Sequence, residues 1–194
     1  PPPPHRSSAA SDVYKRQFKA SVDAGVATIM NAFNILNGIP ATGDAFLQRD
    51  ILKDQWGFKG FVISDWGSGK EMVLHGFAKD LEHAAQLAVT AGSDMDMESY
   101  MYVKHLEGLV AAGKIDEALI DDAVRRILKV KFDLGLFDDP YRYADPVRES
   151  TLINHPEHHA AALDVAKKSM VLLKNDKQLL PLSKTEGKIA IIGD

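Results

Sequence analysis

Gly60-Phe-Val-Ile-Ser-Asp-Trp-Gly-Ser-Gly69 reads as a short buried strand that runs into an acidic, glycine-rich loop. Phe61, Val62 and Ile63 are apolar and β-capable, too few for a helix and bounded by glycine. Asp65 follows directly, so its carboxylate is expected at the C-terminal mouth of a sheet. Parallel α/β folds build their active sites at that mouth. Trp66 offers a flat apolar face suited to stacking on a sugar ring. The small residues Gly67, Ser68 and Gly69 leave room for another group to approach closely. Read only by position, Asp65 could equally cap a helix or close a loop.

Upstream, Val26 to Phe33 reads as another strand, followed by a turn-rich stretch with Asn37-Gly38 and Pro40. Asp44 suits a helix N-cap. Phe46, Leu47, Ile51, Leu52 and Trp56 form a helical stripe closed by Gly57. Downstream, Leu81, Ala84, Ala85 and Ala88 mark a helix closed by Gly92, and Ser93 to Met97 reads as a third strand. Strand, helix, strand, helix, strand with right-handed crossovers makes the strands parallel. They begin at Val26, Gly60 and Ser93. A (β/α)8 barrel averages about 31 residues per unit, so the spacing suits the C-terminal part of such a barrel. A doubly wound sheet uses similar units.

Two helices are expected after Met97. The first has Ser99 as cap, Val103, Leu106 and Val110 facing inward, and Gly113 at its end. The second runs from Asp116 to Leu134, with Ile120, Val124, Ile127 and Val130 on one face, Arg126 directed elsewhere, and Gly135 as stop. A polar connector over 138–155 leads to a helix from Pro156 to Lys168. Met170 to Lys174 and Lys188 to Asp194 read as strands. A boundary is expected between 138 and 150.

The chain has 194 residues, 23 Lys+Arg against 27 Asp+Glu, and a net charge of −4, a balance that excludes a strong nucleic-acid binder. At 45% hydrophobic and 26% charged residues it is apolar enough to bury a core. Cysteine is absent, which excludes disulfide scaffolds, thiolate metal sites and cysteine nucleophiles. No apolar run is long enough for a membrane-spanning helix. His155, His158 and His159 resemble a metal cluster but read better as a solvated helix start. The alternating acids of 93–97 lack the ligand spacing of a calcium loop. The opening residues 1–17, PPPPHRSSAASDVYKRQ, resemble adapter-derived sequence and are set aside as a non-native tail. With a buried-type strand as the last element, the chain is expected to be truncated at both ends.

The segment Trp56 to Gly67 resembles the nucleophile segment of glycoside hydrolase family 3, which includes the β-glucosidases. The resemblance extends to Ile29-Met-Asn-Ala-Phe-Asn-Ile-Leu-Asn-Gly-Ile-Pro-Ala41, Ala91-Gly-Ser-Asp-Met-Asp-Met97, Arg126 to Tyr141, Ala166 to Asn175 and Lys188 to Asp194. It implies an α/β chain: the C-terminal part of a (β/α)8 barrel over 18–137, a connector over 138–155, and the first strands of an α/β sandwich domain over 156–194. It also implies that Asp65 is the catalytic nucleophile, that Trp66 shapes the sugar pocket, and that Met30 and Phe33 line the same subsite. Many members carry Tyr where Phe33 stands, so a hydroxyl contact to the nucleophile is missing here.

The implied reaction is retaining hydrolysis of terminal β-D-glucosyl residues from β-glucosides or oligosaccharides, with no cofactor and no catalytic metal. The acid/base glutamate would lie beyond residue 194 and other sugar-binding groups before residue 18, so this segment alone is expected to be inactive. The rest of its own chain is the partner it needs to complete the barrel. The resemblance implies a periplasmic or extracellular location. A β-xylosidase, another exo-β-glycosidase or a non-catalytic homologue would carry the same segments. A receiver-like phosphorelay domain also places an aspartate after a buried strand, but the long helices after residue 98 do not suit it.

Overall fold

The computed structural model describes residues 8–185, 187, 188, 190, 192 and 193, and divides into two compact units between Arg142 and Tyr143. The first unit opens with helix α1 (Ser8–Asp23), which begins inside the segment set aside from the sequence reading. Strand β1 (Thr28–Met30) pairs in parallel with β4 (Phe61–Ile63), with Met30 opposite Ile63. Val62, in the middle of β4, is fully buried. Gly60 is required where β4 begins: a Cβ there would lie 2.0 Å from the Ala27 carbonyl oxygen, an impossible approach to backbone. Among the described residues the third predicted strand shrinks to one parallel bridge, Ile63 to Met95, because the Met97 N–H bonds the Ser64 side chain and Glu98 turns the chain away at positive φ.

Between β1 and β4 the chain makes two further pieces. β2 (Ile35–Leu36) and β3 (Ile39–Pro40) form a tight antiparallel hairpin around Asn37 and Gly38, both at positive φ. This is the turn that Asn-Gly favours. The Phe46–Gln55 helix follows, and Asp44 does help to start it by accepting from the Leu47 N–H at 3.2 Å. Its turns are wider than α-helical: the Trp56 N–H bonds the Ile51 carbonyl at 2.9 Å, five residues back. Gln48, Ile51, Leu52 and Lys53 are all buried on it. Leu52 packs with Phe58 and Val62, flanked by Val22, Ile29 and Trp56.

A second, larger core joins α2 (Ser68–Leu74), α3 (Leu81–Ala91), α4 (Met101–Ala111) and the approach to α5 (Glu117–Asp133). Met72, Ala84, Ala85, Ala88, Met101 and Leu109 are its centre. Burying a side chain as large as Met101 or Leu109 contributes about 1.5–3 kcal/mol each. α3 matches its sequence reading, with Asp80 accepting from the His83 N–H at 2.8 Å and Gly92 closing it at φ 105°.

Several details of the reading need correction. Val103 points to solvent at 88% exposed, because α4 packs through Met101 and Leu109 instead. Ser99 does not cap α4: its Oγ accepts from the Lys70 N–H, while Asp96 Oδ2 accepts from the Met101 N–H. Arg126 turns inward, donating from Nη1 to the carbonyls of Phe58 and Gly60 at 2.9 and 3.1 Å. It thereby fixes α5 to the residues that lead into β4. The short helix α2 escapes a reading that leaves Asp65 to Gly69 as a loop.

The second unit holds α6 (Pro146–Leu152), α7 (Pro156–Ser169) and a single turn at Asp176–Gln178. α6 lies where a connector was predicted, with Asp145 capping it and Pro146 in its first turn. No described residue from Tyr143 onward is buried. The strand predicted over Met170–Lys174 is absent among the described residues, where the stretch pairs with no other strand. Residues 189, 191 and 194 of the last predicted strand lie outside the described residues, and the described residues of that stretch carry no strand.

Candidate active site

The parallel pairing brings three chain segments to one edge. Asn31 follows β1, with its N–H on the Ile63 carbonyl at 2.9 Å. Ser64 and Asp65 follow β4. Asp96 and Met97 follow the bridge at Met95. Two bonds lace the last two segments: the Met97 N–H donates to Ser64 Oγ at 2.8 Å, and the Gly67 N–H to the Met97 carbonyl at 2.7 Å. Asp65 thus stands where its sequence position puts it, at the C-terminal end of a buried parallel strand.

Asp65 is half-buried, and Trp66 beside it is 65% exposed. Among the described residues no donor binds the Asp65 carboxylate. Its main chain is what is held: the Asp65 N–H donates to Ser68 Oγ at 3.1 Å, and the Ser68 N–H donates back to the Asp65 carbonyl at 3.1 Å. A carboxylate tied to no structural partner is open to a ligand. Met30 ends β1 in register with Ile63, and Phe33 lies in the loop beyond, both exposed on the same edge of the sheet. Of the small residues after Trp66, Gly69 serves packing and Ser68 hydrogen bonding. At Gly69 the space a Cβ would need is filled by the Met101 side chain, 2.4 Å away.

The alternating acids of the third segment are structural. Asp94 accepts from Lys53 Nζ at 2.6 Å and from the Val62 N–H at 2.8 Å. Both side chains of that ion pair are 4% exposed. Burial lowers the Lys53 pKa from its ordinary value, and the Asp94 charge opposes that shift. Asp96 holds the start of α4. Among the described residues no group of three or more His, Asp or Glu side chains could hold a metal ion. The three histidines of 155–159 fall at the start of α7, where His155 accepts from the Glu157 N–H.

Beneath the edge lies a buried polar network that the sequence reading missed. Asn31 Nδ2 donates to Ser93 Oγ at 2.8 Å and to Gln48 Oε1 at 3.3 Å. Gln48 Nε2 donates to the carbonyls of Ala41 and Thr42 at 3.0 and 3.1 Å. The Thr42 and Ser68 hydroxyls bond each other at 3.0 Å. The one local signal was Gln48, a polar residue inside an apolar helical stripe.

Tyr102 closes the network, its hydroxyl donating to the Ser93 carbonyl at 2.6 Å. Burial, aided by the charges of Asp96 and Asp94, raises its pKa well above the ordinary tyrosine value. The folded state then keeps this proton after the unfolded chain has lost it. The stability Tyr102 supplies is complete below the unfolded value of about pH 10 and is lost as pH rises beyond it. Tyr102→Phe should start lower in melting temperature but fall less steeply above about pH 10. Equal alkaline slopes for variant and wild type would refute this assignment.

The Glycosyl hydrolase family 3 N terminal domain profile matches residues 1–130. The periplasmic beta-glucosidase of Salmonella typhimurium is 46% identical over 183 residues, covering 93% of this chain and 24% of that protein. A beta-xylosidase of Formosa agariphila is 35% identical over 192 residues, covering 94% of this chain and 26% of that protein. The crystal structure of a beta-glucosidase from Listeria innocua superposes with a TM-score of 0.75 at 42% identity, over 86% of this chain and 23% of that one. The same protein has been solved in complex with glucose. The chain therefore spans about a quarter of the length of the relatives it matches. A profile matched along most of the chain, and a shared fold at this identity, place it in glycosyl hydrolase family 3.

Proposed function

We propose that this chain supplies the nucleophile side of the active site of a retaining exo-β-glycosidase that releases terminal β-D-glucosyl residues. The observation that carries the reading is the Asp65 carboxylate, unbonded among the described residues, at the C-terminal end of a buried parallel strand with an exposed tryptophan next to it. In this reading 18–137 is the end of a (β/α)8 barrel, 138–155 the connector, and 156–194 the start of an α/β sandwich domain. The complete enzyme, of which this is one segment, works in the periplasm or outside the cell.

An Asp65 carboxylate oxygen attacks the anomeric carbon. The bond to the aglycone oxygen breaks, and that oxygen takes a proton from a second carboxyl group about 5–5.5 Å away. Water then attacks the glycosyl ester, giving its proton to the same second group, and Asp65 leaves as carboxylate. The second carboxyl group comes from elsewhere in the complete enzyme. Trp66, Met30 and Phe33 form the apolar part of the sugar site, where aromatic and thioether faces exclude water and pack against ring C–H groups.

Similarity to a beta-xylosidase supports a second reading, the same chemistry on a β-xyloside. A panel of aryl β-glycosides on the full-length enzyme separates the two. Faster turnover of the glucoside is expected, and a strong preference for the xyloside would replace the first reading with the second. Azide added to an Asp65→Gly variant tests the mechanism. Restored turnover through an α-glycosyl azide is expected, and a β-glycosyl azide would contradict it.

A further inference from the structure

We propose that Ser68, held by Thr42, is a positioning residue that aims Asp65 at the anomeric carbon. The inference rests on Asp65 being the nucleophile. The Asp65 carboxylate has no partner of its own among the described residues, so its direction is set through its main chain. Ser68 Oγ holds the Asp65 N–H at 3.1 Å, and the return bond from the Ser68 N–H closes a small ring. Ser68 Oγ is bonded in turn to Thr42 Oγ1 at 3.0 Å.

Both hydroxyl residues are buried, Ser68 at 4% and Thr42 at 1% exposure, where a lost bond has no water to replace it. Thr42 is itself fixed. Its carbonyl accepts from Gln48 Nε2 at 3.1 Å and from Ser93 Oγ at 3.1 Å, and Asn31 Nδ2 ties Ser93 to the end of β1. A continuous chain of hydrogen bonds therefore links the nucleophile's amide to the ends of the neighbouring parallel segments. Removing the Ser68 hydroxyl frees the Asp65 amide and leaves the Thr42 hydroxyl without this partner. The loop can then swing while the strands stay in place.

The test is a double-mutant cycle in the full-length enzyme. Ser68→Ala and, separately, the isosteric Thr42→Val should lower kcat/KM on aryl β-glucosides by about 10- to 100-fold, the size expected for a misplacement near 1 Å. In an Asp65→Gly background rescued by azide, Ser68→Ala should leave the rescued rate unchanged, because azide needs no aiming by the loop. Ser68→Thr keeps the hydroxyl and should recover activity over Ser68→Ala. The proposal is overturned if Ser68→Ala and Thr42→Val both leave kcat/KM at the wild-type value. It is also overturned if Ser68→Ala cuts the azide-rescued rate by the factor seen in the native background, since it would then act on the pocket as a whole. Azide-free turnover retained by Asp65→Gly is a separate result. It would remove the nucleophile reading itself, and the positioning proposal with it.

Discussion

Asp65→Ala in the full-length enzyme is expected to lower kcat/KM on aryl β-glucosides by about 10⁴-fold or more, the scale seen when a covalent nucleophile is deleted. The loss should come with little change in melting temperature. Asp65 holds its loop through main-chain bonds to Ser68, which alanine keeps. Its carboxylate has no structural partner among the described residues. On the proposed reading Asp65 differs from a bracing residue such as Asp94, whose carboxylate has two partners. Steady-state kinetics and thermal melts on one preparation check the pair of outcomes. Near-normal turnover would make Asp65 structural, and a collapse in melting temperature would make the activity loss uninformative about chemistry and the carboxylate a brace after all.

Asp94→Asn should destabilise the fold by about 3–5 kcal/mol, the cost of stripping one partner from a buried ion pair. Asparagine can still accept from the Val62 N–H through its one amide oxygen, but its Nδ2 then faces Lys53 Nζ, so the loss combines the missing charge with a donor–donor contact. Lys53 Nζ would keep the Gly92 carbonyl, 2.8 Å away, but no counter-charge. The double variant Asp94→Asn/Lys53→Met should recover part of the loss, because the stranded cation is gone. The pH dependence has a definite sign. A folded pKa below the unfolded one means that the unfolded chain binds the Lys53 proton more strongly. The stability of the Lys53 site therefore rises as pH climbs from its lowered folded value toward 10.5. Asp94→Asn removes the opposing charge, lowers the folded value further and widens that window. Urea unfolding across this range checks both statements. A double variant no more stable than Asp94→Asn would show that the pair is not the source of the loss.

Elements with strong local signals were legible in the sequence. β4 was read from three apolar residues between Gly60 and Asp65, α3 from its alanine stripe and Gly92, and α5 from Asp116 at one end and Gly135 at the other. The Phe46–Gln55 helix was placed, but not its wide turns, since an apolar stripe marks a helix without fixing which carbonyl each N–H reaches. The strand at Ser93–Met97 was over-read because β4 bonds it only around Met95, where Ser64 Oγ takes the Met97 N–H, and the one at Met170–Lys174 because apolar residues show that a segment can pair and not that a partner lies beside it. Val103 was put on the inner face of α4 by periodicity, yet Met101 and Leu109 fill the space against α3.

At the candidate site, the positions of Asp65 and Trp66 were legible because they depend on one strand end. The bracing network was not. Asn31 and Ser93 meet across 62 residues of sequence, and Ser68 meets Thr42 across 26. No local pattern announces such partners. They become visible only when parallel pairing brings the ends of β1, β4 and the Met95 segment to one edge.

The most direct test of Asp65 as nucleophile is covalent trapping with a 2-deoxy-2-fluoro-β-glucoside bearing a dinitrophenolate leaving group. The fluorine destabilises the oxocarbenium-like transition states, while the good leaving group lets only the first step proceed. Full-length enzyme should lose activity in step with the gain of one fluoroglucosyl group. Peptide mass spectrometry should then place that group on Asp65. A label on a different carboxylate, or a reaction that inverts the anomeric centre and traps nothing, would contradict the account.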